Sequence, residues 1–535
     1  MTLNPEPITQ EGEEEEDTGA SAHHPSPPPN ELFDVSTTVD PSYLISLIRK
    51  LLPSNIRSSN NSSEVDACDA LTLGSTIDHM EESIPSPARD KAPYSPNNKT
   101  EPMGTLNDFD EFTCQDGSDE GLCHKFQHSN GSAGEQAWEE FGCILWDLAV
   151  SRTHAEFMVQ NLLLDVLLAN LMVSQSMRIT EISLGIIGNL ACHEVPMKHI
   201  VSTNGLIEII VDQLFVDDTP CLCEACRLLT LGLQGSEGVA WAEALQFEHI
   251  LSRLLWIAEN TLNLQLIEKS IGLVLAIIES QQEVKSTLLA TMMKLGFLDL
   301  LINLLSFEMS KLMNERIPER YAVLELILRA IEALSVIDEY SKEICSKKEL
   351  FIMVYELVRF PDKVEVANSC VTAAVLIANI LIDAADLVSD ISQDVAFLQG
   401  LLDVLPFSSD DLEARSAIWS IMARVLVQVD ECKMSPSSLH QYVLVLVSKS
   451  ELIEDDLLNQ QLGYSNEEHE SLTTSGAKLN ARNTSQLKRI ISILNQWIAS
   501  KDYVVGDKSD REDHKFEESV VRLLDCFRDH VNQIL

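Results

Sequence analysis

Positive charge is what this chain lacks most. Against 83 Asp and Glu it carries only 38 Lys and Arg, a formal net charge of −45 over 535 residues. A surface of that sign repels a phosphate backbone and gives no field to steer one inward, so neither nucleic acid nor anionic lipid is expected as a partner. Long apolar runs are missing as well. No stretch of roughly eighteen uninterrupted apolar residues occurs, and no membrane span is expected. The opening MTLNPEPITQEGEEEED is acidic and prolyl, where a secretory leader would begin with a basic region and an apolar stretch. The 12 cysteines fall mostly within helical patterns and suit reduced, small apolar side chains. Nucleus and/or cytoplasm is the location expected from this.

Signatures of reactive chemistry are absent too. The chain holds no G-x-S-x-G, no G-x-x-x-x-G-K-S/T, no G-x-G-x-x-G after a strand pattern and no H-E-x-x-H. With no site to point to, neither enzyme activity nor a cofactor is expected.

What is there is helical. Residues 1–134 are rich in Ser, Asn, Pro, Asp and Glu, a composition that cannot offset its ordering entropy, so the region is expected to be mainly disordered. One short amphipathic helix interrupts it over 41–52. Asp40 can cap it, Pro41 suits its first turn, and Leu44, Leu47, Ile48 and Leu51 fall on one face before Pro53 ends it.

From about Glu135 onward, apolar quartets at i, i+3, i+4, i+7 recur. They are Leu164/Leu167/Leu168/Leu171, Ile207/Ile210/Val211/Leu214, Phe247/Ile250/Leu251/Leu254, Leu298/Leu301/Ile302/Leu305, Leu350/Met353/Val354/Leu357 and Leu398/Leu401/Leu402/Leu405. A second helix type ends in a Leu-Ala-like pair at Leu148-Ala149, Leu190-Ala191, Leu231-Gly232, Leu275-Ala276, Leu334-Ser335 and Ile377-Ala378. Successive pairs lie roughly 40 to 45 residues apart, the period of armadillo and HEAT units. One longer interval accommodates a charged insertion, Ser306 to Arg320. The expected fold is therefore all-α: an armadillo/HEAT-like right-handed α-solenoid over 135–450. A polar linker is expected over 451–484, and helices over 485–535 as a C-terminal cap.

The stretch Ile179 to Gly235 resembles the armadillo consensus, in which a helix ending N-L-A precedes a loop and a G-x-I-x-x-L-V-x-L-L helix. More narrowly, Trp146-Asp147, Gly185 to Cys192, and Thr219 to Thr230 with its C-x-L-L-T run are similar to the serum amyloid A-like family of armadillo-type repeat proteins. The similarity covers Glu135 to about Leu255. It implies a non-enzymatic intracellular protein, partly nuclear, linked to cell proliferation.

Importin-like armadillo proteins grip basic peptides with a Trp, and an Asn four residues later, on successive third helices. Counting back from the Leu-Ala pairs, the Asn position reads Asp147, Asn189, Thr230, Val274, Ala333 and Leu376. Only Asn189 fits, which excludes an adaptor of that type. The polar end at Asp147, Asn189 and Thr230 remains the candidate protein-binding groove. Cys221, Cys223 and Cys226 have metal-like density, but Pro220 opens a helix through them. They are expected to be buried core residues with no metal, Cys223 and Cys226 sharing a face that Cys221 does not. Four Ser-Pro steps, at Ser26, Ser86, Ser95 and Ser435, are candidate phosphorylation sites. The expected function is a protein-interaction scaffold, monomeric when free, whose protein partner the sequence does not name. The alternative is an obligate structural subunit of a larger complex.

Overall fold

The computed structural model describes residues 39–53, 133–431, 435–458, 473–501 and 511–534, and among them there is no strand. The helices come in threes. A first, a second and a third helix recur as α3–α5 (Arg152–Gln160, Leu163–Val173, Met177–Ala191), α6–α8 (Glu194–Ser202, Leu206–Asp212, Thr219–Gln234) and α9–α11 (Gly238–Leu245, Glu248–Asn260, Leu264–Glu279). They continue as α12–α14 (Gln282–Lys294, Phe297–Asn314, Tyr321–Ser335), α15–α17 (Asp338–Ser346, Lys348–Arg359, Ala367–Asp383) and α18–α20 (Leu387–Ile391, Val395–Val404, Leu412–Glu431). Before them stand α1 (Pro41–Lys50) and α2 (Ala133–Leu148). After them come α21 (Pro436–Ser448), α22 (Ser450–Leu458), α23 (Thr473–Lys501) and α24 (Arg511–Ile534).

Third helices stack on one another. α2, α5, α8, α11, α14, α17, α20 and α23 each pack against the next in that row, which makes the molecule an armadillo-type solenoid. The apolar quartets lie on second helices or at their ends, and the Leu-Ala-like pairs lie in the C-terminal parts of third helices, so the two sequence patterns mark two structural roles. Several third helices start at polar caps. Asp218 accepts from the Cys221 amide at 3.0 Å and Asn263 from the Leu266 amide at 3.0 Å, each satisfying a donor the helix leaves unpaired. Gly205 (φ +77°) and Gly296 (φ +86°) precede second helices in the left-handed region, and Leu162 (φ 64°) does the same without glycine's freedom.

Four details depart from the sequence reading. Phe247 heads the third quartet, yet it caps α10 from outside and is 55% exposed. The insertion after Leu305 lengthens α13 to Asn314 and ends in a 3-10 turn at Pro318–Arg320. Arg320 returns to bind Glu308, which is only 2% exposed, at 2.8 Å. The expected polar linker over 451–484 is helical at both ends. Its acids mislead because Glu451 and Asp455 face outward while Ile453 and Asp456 face inward, Asp456 accepting from the Trp419 indole. Finally, Val364–Asp383 is long and apolar enough to cross a membrane, with mean hydropathy 1.7, but here it forms α17 and its lead-in turn, packed between α14 and α20.

Both ends of the row are covered. α1 lays Leu44, Leu47, Ile48 and Leu51, all buried, against α2 and α3. The Leu51 carbonyl accepts from the Trp138 indole at 3.0 Å and from the Asn170 amide at 2.9 Å, so carbonyls freed at the end of α1 find partners. At the other end α24 packs Val520, Leu523, Leu524, Phe527 and Val531 against α23 and α21. Residues 1–38 and 54–132, over which disorder is expected, lie outside the described residues.

Two glycines test this packing in opposite directions. A Cβ at Gly232 would stand 2.5 Å from the buried Trp241 indole, so Gly232→Val is expected to lower stability by about 1–3 kcal/mol or more. A Cβ at Gly272, inside α11, meets nothing within 4 Å, so Gly272→Ala should raise stability by about 0.5–1 kcal/mol. Urea denaturation midpoints of the two variants check both.

Candidate functional site

The third-helix row is where the sequence placed a groove, and at its N-terminal end the polar side chains are tied to one another. Asn189 on α5 donates to the Trp146 carbonyl on α2 at 2.9 Å. Its Oδ1 accepts from Arg227 on α8 at 3.3 Å, and Arg227 also donates to the Gly185 carbonyl at 3.2 Å and to Glu224 at 2.8 Å. Glycines make the close approach feasible: a Cβ at Gly185 would lie 2.2 Å from the Trp146 indole, and one at Gly188 2.4 Å from the Arg227 guanidinium. One Asn and one Arg thus stitch three successive third helices together.

The three candidate residues therefore have different fates. Asn189 has both polar arms engaged. Thr230 donates to the Cys226 carbonyl of its own helix at 2.8 Å. Asp147 is exposed. The counted ladder fails further along, since Val274 and Leu376 are fully buried. Asn379, which the count missed, takes the stitching role on α17, donating to Ser335 on α14 at 2.9 Å. The signal for it was its interval of 44 residues from Ser335, nearly the 43 that separate Asn189 from Trp146.

Acids converge on the later part of the row. Burial holds the Glu332 carboxyl on α14 above the usual carboxylate range, and the like charges of Glu413, Glu279 and Asp411 add to the shift, while Arg329 opposes it. Arg329 is already paired with Glu279 at 3.1 Å. The other bases on the third helices from α5 to α20 are also engaged: Arg178 with Glu181, Arg227 with Glu224, Lys269 with Glu268, Arg415 with Asp456 and Arg424 with the Leu381 carbonyl.

Cys221, Cys223 and Cys226 are all buried. Cys221, expected to point elsewhere, turns inward and donates to the Met177 carbonyl on α5 at 3.1 Å. Burial pushes the Cys223 thiol up to about 11 and the Cys226 thiol up to about 12, and a protonated thiol is a poor metal ligand. No group of three or more His, Cys, Asp or Glu able to hold a metal ion occurs among the described residues. Ser435 is exposed at the start of α21, its Oγ accepting from the Ser438 amide at 3.1 Å. Ser26, Ser86 and Ser95 lie outside the described residues.

No protein-family profile matches the chain. Among curated proteins it is similar to Protein saal1 of Danio rerio, 28% identical over 228 residues, covering 41% of this chain and 48% of that protein. It is also similar to Protein SAAL1 of Homo sapiens, 31% identical over 130 residues, covering 24% and 27%. The chain thus spans about half or less of the length of these relatives. They carry the serum amyloid A-like name, so the resemblance holds over part of the chain. Solved structures include a computationally designed armadillo repeat protein for modular peptide recognition, 15% identical, covering 46% of this chain and 94% of that one, with a TM-score of 0.36. A designed armadillo repeat protein in complex with peptide (KR)4 is 16% identical, covering 46% and 95%, with a TM-score of 0.37.

Two outcomes follow from the geometry. Arg227→Ala is expected to lower stability by about 1.5–3 kcal/mol, since a charged donor leaves three acceptors behind, whereas Asp147→Asn should change it by no more than about 0.5 kcal/mol. Denaturant titration compares them. With iodoacetamide at about pH 8, where an ordinary thiol is partly ionised, the exposed Cys192 should be alkylated well before Cys221, Cys223 and Cys226. Peptide mass spectrometry against time reads the order.

Proposed function

We propose that this chain is a non-enzymatic scaffold whose third-helix row holds an extended, Lys/Arg-bearing segment of another protein. The observation that carries the reading is the charge balance along the row. From α5 to α20, Arg178, Arg227, Lys269, Arg329 and Arg415 each have an acidic partner within the fold and Arg424 donates to the Leu381 carbonyl, while Asp147, Glu332 and Glu413 make no ion pair among the described residues. A basic segment would relieve the mutual repulsion around Glu332 and complement the chain's excess of acid. Main-chain and side-chain stitches such as Asn189 hold the surface rigid, which lowers the ordering cost of binding. From the resemblance we carry over a setting in growth control and a location in nucleus and/or cytoplasm, with Asp147, Asn189 and Thr230 marking one end of the surface.

The test is fluorescence anisotropy of the full chain with a labelled peptide of alternating Lys and Arg and with its Glu counterpart. The basic peptide should bind, more weakly as salt rises, and Glu332→Gln with Glu413→Gln should weaken it about tenfold, or 1.4 kcal/mol. The sign with pH is fixed. A basic ligand prefers Glu332 ionised, and its carboxyl in the free chain titrates above the usual range, so affinity falls as pH is lowered through that raised value. Equal binding of both peptides, or binding indifferent to the double variant, refutes the reading.

A further inference from the structure

The row of third helices leaves the other side of the repeats unexplained, and one place there is unlike the rest. Between α6 and α7 of one repeat and α9 and α10 of the next lies a cleft of about 710 Å³, a size typical of ligand-binding clefts. No third-helix residue lines it. Its floor is aliphatic, from Ile207, Val211, Ala240, Ala244 and Ile250. Its rim is acidic, from Glu208 and Asp212 one turn apart on α7 and Glu243 on α9. Those three carboxylates make no ion pair among the described residues, and neither Lys nor Arg lines the cleft. The loop beneath is roomy, since a Cβ at Gly205 would meet nothing within 4 Å.

Aromatic side chains extend the cleft along the surface. Phe247 at its edge stands 6.0 Å from the His249 ring, which stands 5.9 Å from Phe215. Two turns along α10, the Trp256 indole lies under the Arg253 guanidinium at 4.6 Å. Arg253 is itself held by the Leu214 carbonyl and by Asp217, both at 2.8 Å, so the indole is fixed in place rather than buried. Phe215, Phe247 and Trp256 are 46%, 55% and 50% exposed. Only six aromatic side chains of the described residues are so exposed, and half of them fall in this one patch. A packed core would have taken them in; a contiguous apolar surface with a charged rim is the form of a protein-binding site.

We propose that this cleft is a second docking site, separate from the third-helix row, for a short segment of a partner protein that carries a large apolar anchor flanked by Lys or Arg. The apolar anchor fills the aliphatic floor beside Phe247. The flanking bases meet Glu208, Asp212 and Glu243, and the row Phe215, His249, Trp256 covers the segment's continuation. The acidic rim is what selects this occupant: a neutral or acidic segment would leave three carboxylates desolvated without partners.

A phage-displayed library of short random peptides, panned on the full chain, tests it. Enriched sequences should pair a Trp, Phe, Leu or Met with nearby Lys or Arg. By anisotropy such a peptide should bind the Phe247→Ala chain and the Glu208→Lys, Glu243→Lys chain at least about tenfold more weakly, while binding the Glu332→Gln, Glu413→Gln chain unchanged. All of these positions are solvent-exposed or half-buried, and matching thermal melts confirm that the variants are folded. Enrichment of acidic sequences, or of none whose binding depends on Phe247 or the rim acids, overturns the proposal. So does loss of binding only in the Glu332 and Glu413 variant, which assigns the peptides to the third-helix row. Sedimentation of the free chain adds one more arm: a dimer abolished by Phe247→Ala makes the patch a self-association surface and likewise overturns it.

Discussion

A third helix in this fold cannot stand without its neighbours. α11 buries Leu266, Ile267, Ile271, Leu273 and Val274 through Ile278, which is far more than one apolar stripe and far more than its own second helix can cover. Its remaining faces are closed by α8 before it and α14 after it. Burying a side chain of this kind is worth roughly 1.5–3 kcal/mol, and an isolated helix obtains almost none of it. The stability of each repeat is therefore shared with the next, and the array must end in covers, which α1 and α24 supply.

Polar groups along the row answer to the same constraint. Where third helices approach closely, glycine at 185 and 188 admits flat side chains, and the polar atoms brought in with them must be matched. Asn189, Arg227 and Asn379 do this by bridging consecutive helices, and Asn368 approaches Glu325 across the same interval that Asn379 bridges. Polarity on this surface is thus largely a structural device. What remains for a ligand is acid, and it is left over because the chain has far fewer bases than carboxylates.

Helix type, repeat spacing and the α1 segment were legible because apolar periodicity and Pro/Asp punctuation are local signals. What escaped the sequence is non-local. Val274 and Leu376 were counted as surface positions, since the Leu-Ala pair was taken as a fixed reference; the pair slides where α17 runs longer, to Asp383. Phe247 satisfies the spacing of a core quartet, and only the turn that makes it a cap reveals that it faces water. Asn189 was singled out as the one match to the counted ladder, yet its partners lie on two other helices and no periodicity names them. The helix at 450–458 was hidden by its acids, because composition does not tell which carboxylate turns inward to meet an indole.

The N-terminal cover has a topological consequence. α1 ends beside Trp138 and Asn170, so the Leu51 carbonyl at its end is held by side chains 87 and 119 residues further along the chain. The entropy of bringing two distant parts of a chain together grows only with the logarithm of their separation, about 0.6 kcal/mol for each doubling. The sequence separation between the lid and the first repeat can therefore change at little cost to the contact. Cutting the chain between them, by contrast, turns an intramolecular lid into a separate peptide that holds on only by its own affinity.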